Sequence, residues 1–309
     1  MAQAKADAAV RVAAVDIGTN TTRLLIADVV DGGMTRLDRR SIVTRLGQGV
    51  DVGRVLAPEA IDRTVAVLGV YGEAIRAAVC QRVRAVATSA VRDGANRDVF
   101  LATAATALGA PLEVIGGDEE AALSFAGATT GVSGAPPYLV IDPGGGSTEF
   151  VLGVSSPSYA VSVDIGSVRL TERVLPDHPA SPHQLAAARR HVDDLLAAAV
   201  ALPAPPGTVV GVGGTFTSLA AIHLRLATYD PDRVHGTILA AADLGGLAGW
   251  LATLTMEQTA GIPSLDPARA PVLLGGAVVA ERSARHVGAG SILVSEHDIL
   301  DGVVLSVAR

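Results

Sequence analysis

Lysine is almost missing from this chain: among 309 residues, Lys5 is the only one. A loop of the form G-x-x-x-x-G-K-[ST] needs a lysine inside its glycine-rich turn, so no P-loop exists here. Any phosphate must then be held by arginines, backbone N–H groups, hydroxyls and a metal ion. Cysteine is equally scarce. Cys80 stands alone, which excludes an internal disulfide and a cysteine-built metal site. Its setting in AIRAAVCQRVRAV predicts a buried, inert thiol. Charged residues make up only 18%, with 31 acids against 24 bases and a net charge of −7. That balance argues against broad electrostatic binding to nucleic acid or anionic membrane, but leaves room for a small basic cleft.

Long apolar spans are lacking too. MAQAKADAA has no hydrophobic region of the kind a secretory leader carries. Leu195 to Ile222 is free of charge, yet Pro203, Pro205, Pro206 and Gly207 divide it into a helix end, a loop and a new strand. A cytoplasmic protein without a membrane span is expected. The seven histidines show no metal-ligand spacing. His297-Asp298 resembles part of an HD-type site whose other ligands are missing.

What is present is apolar bulk: 49% hydrophobic residues, enough for a large core and two domains. Strand patterns alternate with helical ones, which predicts an α/β protein with largely buried sheets. Helices are expected over 58–81 with Pro58 at the first helical position, over 96–109 ended by Gly109, and from Ser181-Pro182 to Val200. Two segments repeat one design. VAAVDIGTNTTRLLIAD (12–28) and YLVIDPGGGSTEFVLGV (138–154) are each an apolar strand, an Asp, a glycine turn with Ser or Thr, a charged residue and a second apolar strand.

Turns built from Gly, Ser and Thr gather backbone N–H groups on one side, a preformed array for phosphate oxygens. Gly18, Thr19, Asn20 and Thr21 form one such turn, and Gly144, Gly145, Gly146, Ser147 and Thr148 the other. A carboxylate repels phosphate, so Asp16, Asp142 and Glu149 beside these turns suit a cation such as Mg2+. Arg23 and Arg92 suit direct phosphate contact, although each also reads as a solvated arginine. A third glycine element, Val210 to Thr215, opens a helix and serves close packing about as well as anion binding. Asp118, Glu119 and Glu120 begin another helix. They complement its dipole, or one of them activates a water beside bound phosphate; the spacing leaves both open.

In order along the chain, DIGTNTTRLLIAD, ATSAVRD, EVIGGDEEA, IDPGGGSTEFVLG and GVGGTFTSLAAI resemble the motifs of the Ppx/GppA phosphatase family, exopolyphosphatases and guanosine pentaphosphatases. VTRLGQGVD and SEHDILDG make the likeness greatest to its short two-domain members. The resemblance implies two similar domains of the actin/Hsp70/sugar-kinase (ribonuclease H-like) superfold around a cleft. Domain I would span 1–127 plus 296–309, with the last helix crossing back onto it, and domain II 128–295. It implies Glu120 as catalytic base, Asp142 and Glu149 as ligands of Mg2+ (or Mn2+), and both turns with Asp16, Arg23 and Arg92 at the phosphates. Inorganic polyphosphate is the implied substrate and guanosine pentaphosphate (pppGpp) the alternative, in a homodimer. Pro143 replaces an aliphatic residue and removes one N–H from the second loop. A chain ending at Arg309 would lack the extra C-terminal domains of longer relatives.

Overall fold

A computed structural model describes residues 9–30 and 33–308. Lys5, the rest of MAQAKADA and the outer limits drawn for domain I lie outside them. The first sheet contains β1 (Val10–Ile17), β2 (Thr21–Val30), β3 (Gly33–Val43), β4 (Arg82–Ala87) and β5 (Leu112–Val114), in the order β3-β2-β1-β4-β5. The second contains β6 (Tyr138–Pro143), β7 (Thr148–Gly153), β8 (Pro157–Val163), β9 (Thr208–Gly211), β10 (Ile238–Ala240) and β11 (Ser291–Val294), in the order β10-β11-β9-β6-β7-β8. In each half an antiparallel meander of three strands is joined by parallel strands on the side of its first member. The repeat legible in two hairpins is thus a repeat of whole sheets, with β1 to β4 matching β6 to β9.

Ten of the helices among the described residues build the frame: α1 (Pro58–Ala77), α2 (Ser89–Asp93), α3 (Arg97–Leu108), α4 (Gly117–Ala128), α5 (Ser167–Val174), α6 (Pro182–Ala199), α7 (Gly213–His223), α8 (Ala241–Ala252), α9 (Ala270–His286) and α10 (Ile299–Ala308). Their ends follow local chemistry. Pro58 and Pro182 occupy first-turn positions, where a missing N–H costs nothing. Ser181 caps α6 reciprocally with Gln184, and Gly109 ends α3 with φ 79. α1 stops at Ala77, four residues before the expected Gln81, because Val79 turns to φ 54. Cys80 follows in that turn, half-buried, and burial pushes its thiol up, in line with an inert role.

One face of the first sheet packs Ala13, Val15 and Ile17 against Leu68 and Tyr71 of α1 and Phe100 of α3. Its other face packs Val12, Ala14, Leu25 and Val86 against Ile299, Leu300, Val303 and Val304 of α10. The C-terminal helix does cross back, as the resemblance implied. The larger second core joins β6, β7 and β9 to α6, α7, α8 and α9. On the opposite face of that sheet, Val140, Val151 and Val210 receive Ala121, Phe125 and Ala128 of α4. Each crossing helix therefore lies on the sheet it does not follow directly. α4 and α10 meet backbone to backbone: a Cβ on Gly127 would stand 1.8 Å from the Asp298 carbonyl oxygen, and one on Gly302 1.9 Å from that of Leu123.

Candidate active site

The two hairpins are built in matching register. In the first, Asp16 faces Arg23 and Ile17 faces Thr22, and Gly18 N–H closes the turn on Thr21 O at 3.0 Å. In the second, Asp142 faces Glu149 and Pro143 faces Thr148, and Gly144 N–H closes on Ser147 O at 2.9 Å. Pro143 thus ends a strand one residue before the amide that closes the turn. The donor it lacks is not one of the turn's own.

Carbonyls of both turns are tied back into the protein. Asn20 O accepts from the N–H groups of Thr44 and Arg45, and Thr19 O from Gly47. Gly144 O accepts from Ser167, and Gly145 O from Val168 and Arg169 at the start of α5. The N–H groups of Thr19, Asn20, Gly145 and Gly146 have no acceptor among the described residues. Buried amides left without partners cost about 1–3 kcal/mol each unless something else accepts from them. Acceptors fixed inward and donors left over describe an anion cup.

Both turns, with Asp16, Arg23, Asp142, Ser167 and Gly213 to Thr215, border one cavity. The turns also touch each other. A Cβ on Gly145 would stand 2.8 Å from the Thr19 Cβ, so only glycine permits that approach. Thr19 Oγ1 pairs with Ser89 Oγ of α2 at 2.9 Å. The expected residues do not all reach the cavity. Thr148 is fully buried, and its hydroxyl donates to Ile165 O at 2.5 Å, so it braces the turn. Gly146, Ser147, Arg92, Glu120 and Glu149 also lie outside the lining.

The acids divide between these surroundings. Asp16 Oδ2 accepts from Arg23 Nη2 at 2.5 Å and Nε at 2.8 Å, while its Oδ1 is buried without a partner. Asp142 Oδ2 accepts from Ser124 Oγ at 2.9 Å, and Glu149 Oε1 from Ser162 Oγ at 2.7 Å. Burial pushes Asp142 up to about 6, against the pull of Arg23. Burial and then the charge of Asp142 push Glu149 up to about 7. Glu120 pairs with Arg92 Nη1 at 3.3 Å, and that arginine also donates to Ile115 O at 3.0 Å. Burial, then Glu149 and Asp16, raise the Glu120 carboxyl well above its ordinary value.

Cations sit opposite. Arg23 borders the cavity, but its guanidinium is gripped by Asp16 and, through Nη1 at 2.5 Å, by Asp298. Arg269, at the mouth of α9, was not singled out from the sequence, and nothing in DPARAP marks it. Its guanidinium rests on Gly214, where a Cβ would stand 1.9 Å from Nη1. It has no ion-pair partner among the described residues, and burial, then Arg23, lower its pKa. A buried cation without an anionic partner, beside unpartnered amides, is half of an anion site.

Among the described residues, no group of three or more His, Cys, Asp or Glu could hold a metal ion. Mg2+ does not require such a group, since it keeps waters and binds through one or two carboxylates plus substrate oxygens. The buried, unpartnered Oδ1 of Asp16 and the crowded Asp142 and Glu149 fit a divalent cation, which would relieve both.

A cavity of paired amide turns and buried acids agrees with the similarities of the whole chain. The model of the Ppx/GppA phosphatase family matches residues 25–309. The chain belongs to that family and is a hydrolase. It is 45% identical over 315 residues to exopolyphosphatase 2 of Mycobacterium tuberculosis, covering 96% of this chain and 98% of that one. The crystal structure of an exopolyphosphatase-like protein superposes with a TM-score of 0.92 at 38% identity, covering 96% and 97% of the two chains. A family member from Aquifex aeolicus gives 0.81 at 29% identity, covering 97% of each. No helix among the described residues is long and apolar enough to cross a membrane.

Proposed function

We propose that this protein is an exopolyphosphatase that removes terminal orthophosphate from inorganic polyphosphate with the help of Mg2+ or Mn2+. The observation that carries this is the pair of register-matched turns, whose carbonyls are tied back and whose amides are left to a ligand. Polyphosphate is a run of such ligands, and 45% identity to an exopolyphosphatase over nearly the full length of both chains supports the same reading.

The amides of Thr19, Asn20 and Gly145 hold non-bridging oxygens, and Arg269 supplies the charge that lysine supplies elsewhere. Asp16, Asp142 and Glu149 would hold Mg2+, which neutralises charge on the phosphates when bound. Glu120 takes a proton from water as its oxygen bonds to the terminal phosphorus, and the P–O–P bond breaks with its electron pair leaving on the shortened chain. A raised carboxyl suits that proton transfer near neutral pH, and Arg92 orients it.

Hydrolysis of the terminal phosphate of a nucleotide is a second use of the same cup. A second cavity shares Arg23, Gly213, Gly214 and Arg269 with the first and continues to Tyr229, Ser264, Asp266 and Glu296. Beside Arg39 and Arg40, the carboxylates and hydroxyls there offer acceptors to sugar and base donors, which makes pppGpp 5′-phosphohydrolysis the alternative. We place the domains at 1–127 with 296–309 and at 128–295, and read the assembly as a homodimer.

The test is phosphate release with Mg2+ from tripolyphosphate, long polyphosphate, pppGpp and ATP, by wild type and Glu120→Gln. Wild type should act on polyphosphate, and the variant should bind it while losing about 10²–10⁴-fold in rate. Near-wild-type turnover by Glu120→Gln would remove that residue from the mechanism. Release from pppGpp alone would move the assignment to the alternative.

A further inference from the structure

The dipeptide His297-Asp298, which resembles half of an HD-type metal site, is divided between two tasks. His297 stacks on His235 at 4.5 Å, and its Nδ1 lies 2.7 Å from Thr130 O. Asp298 turns the other way and is 4% exposed. Its Oδ2 accepts from Arg23 Nη1 at 2.5 Å and Arg39 Nη2 at 3.0 Å, and its Oδ1 from Leu300 N–H at 3.0 Å in the first turn of α10. Its own N–H donates to Asp301 Oδ2 at 3.0 Å, and Asp301 is bound in turn by Arg36 and Arg39.

Arg23 is consequently fixed from two sides. Asp16 takes Nε–H and one N–H of Nη2, and Asp298 takes one N–H of Nη1. A guanidinium has five N–H donors, so one remains on each terminal nitrogen. Asp16 comes from the same hairpin, whereas Asp298 begins the helix that returns from the second sheet to the first.

We propose that Asp298 is a positioning residue for phosphate binding: it aims the two remaining N–H donors of Arg23 into the cavity, tying the first phosphate turn to the start of α10. The proposal rests on the reading of this cavity as a phosphate site. It makes the crossover at 295–299 part of the site: Asp298 borders the second cavity and acts on the phosphates through Arg23. A carboxylate this close to a polyanion is useful only through the cation it holds.

A double-mutant cycle separates this role from helix capping. Asp298→Asn keeps an acceptor for Leu300 N–H and the size of the side chain, but loses the charge that grips Arg23. Tripolyphosphate is titrated calorimetrically, with Mg2+, into four proteins that each carry Glu120→Gln so that the ligand persists: the parent, Asp298→Asn, Arg23→Gln and the double variant. Asp298→Asn should weaken binding about 10-fold, and should add nothing once Arg23 is gone. A loss under about 2-fold, or losses that multiply in the double variant, overturns the proposal. Asp298→Ser, which keeps a cap for Leu300 N–H and removes the charge, takes the place of Asp298→Asn in the same cycle if that variant does not fold. Turnover of polyphosphate by the otherwise wild-type enzyme is measured separately. If it is absent while the cycle shows coupling, the assigned reaction fails and the positioning role stands.

Discussion

Raising the pH of the metal-free protein from about 5 to about 8 should weaken its fold, with a size set largely by two carboxyls. Asp142 and Glu149 ordinarily ionise at 3.8 and 4.5. Burial, reinforced at Glu149 by Asp142, moves them to about 6 and about 7. Between these limits the unfolded chain has released protons that the folded chain still holds. Their contribution is full below the unfolded values and is lost as pH rises through the folded ones. Each shift alone is worth roughly 3 kcal/mol at about 1.4 kcal/mol per unit. The two acids titrate as a pair, so roughly 3–5 kcal/mol is expected together. Glu120 and Asp16, both raised by burial, act in the same direction. His235, lowered by burial and then by His297, acts in the opposite one, but only below its ordinary 6.5. At about 2–4 °C per kcal/mol for a long chain, the melting temperature should fall roughly 10 °C. Calorimetric scans in EDTA across this range measure it, and a parallel series with Mg2+ should show a smaller fall, since the cation binds the ionised, folded site. A melting temperature that is flat or rising in EDTA refutes the electrostatic reasoning. An equal fall with and without Mg2+ refutes the metal site.

Three further outcomes are expected. Gly302→Ala puts a methyl into the Leu123 carbonyl at the α4–α10 crossing, where only backbone can yield; urea unfolding should show a loss of about 1–3 kcal/mol, and an unchanged midpoint would mean the helices are not closely apposed. Arg269→Met removes an uncompensated charge, so the melting temperature should hold or rise while KM for tripolyphosphate increases about 10-fold; a lower melting temperature with unchanged KM would make Arg269 structural. Gly145→Ala drives a methyl against Thr19 and should lower activity through both turns at once, read as a fall in kcat/KM with the fold intact by circular dichroism.

The hairpins were legible because their pattern is local: a β-branched run, an acid, a glycine turn and a second run need no distant partner to be recognised. Their duplication extends to whole sheets, which no short motif could announce. β3 escaped notice for a physical reason. GMTRLDRRSIV is an edge strand, largely exposed on both faces, so it shows no alternation of apolar and polar residues. TSAVRD after β4 has the polar residues of a loop, yet Ser89–Asp93 folds as the short helix α2, whose end carries Arg92. Arg269 and Asp298 were illegible as site residues because their meaning is tertiary. One is an arginine among helix-start residues until α9 packs beside Gly214, and the other looked like a metal ligand until Arg23 stood next to it. Thr148 shows the reverse error of local reading: the right residue type in the right turn, facing inward.

The exchange of α4 and α10 between the sheets also orders events during synthesis. Val12, Ala14, Leu25 and Ala27 are made early, yet the residues that cover them, Ile299 to Val304, are made some 270 positions later. Until then one face of the first sheet is bare apolar surface, even with α1 and α3 already docked on the other. The first half of the protein is therefore the last to be finished, and a nascent chain halted anywhere before α10 presents the kind of exposed sheet that chaperones capture. Completion of that half then depends on these last ten helical residues.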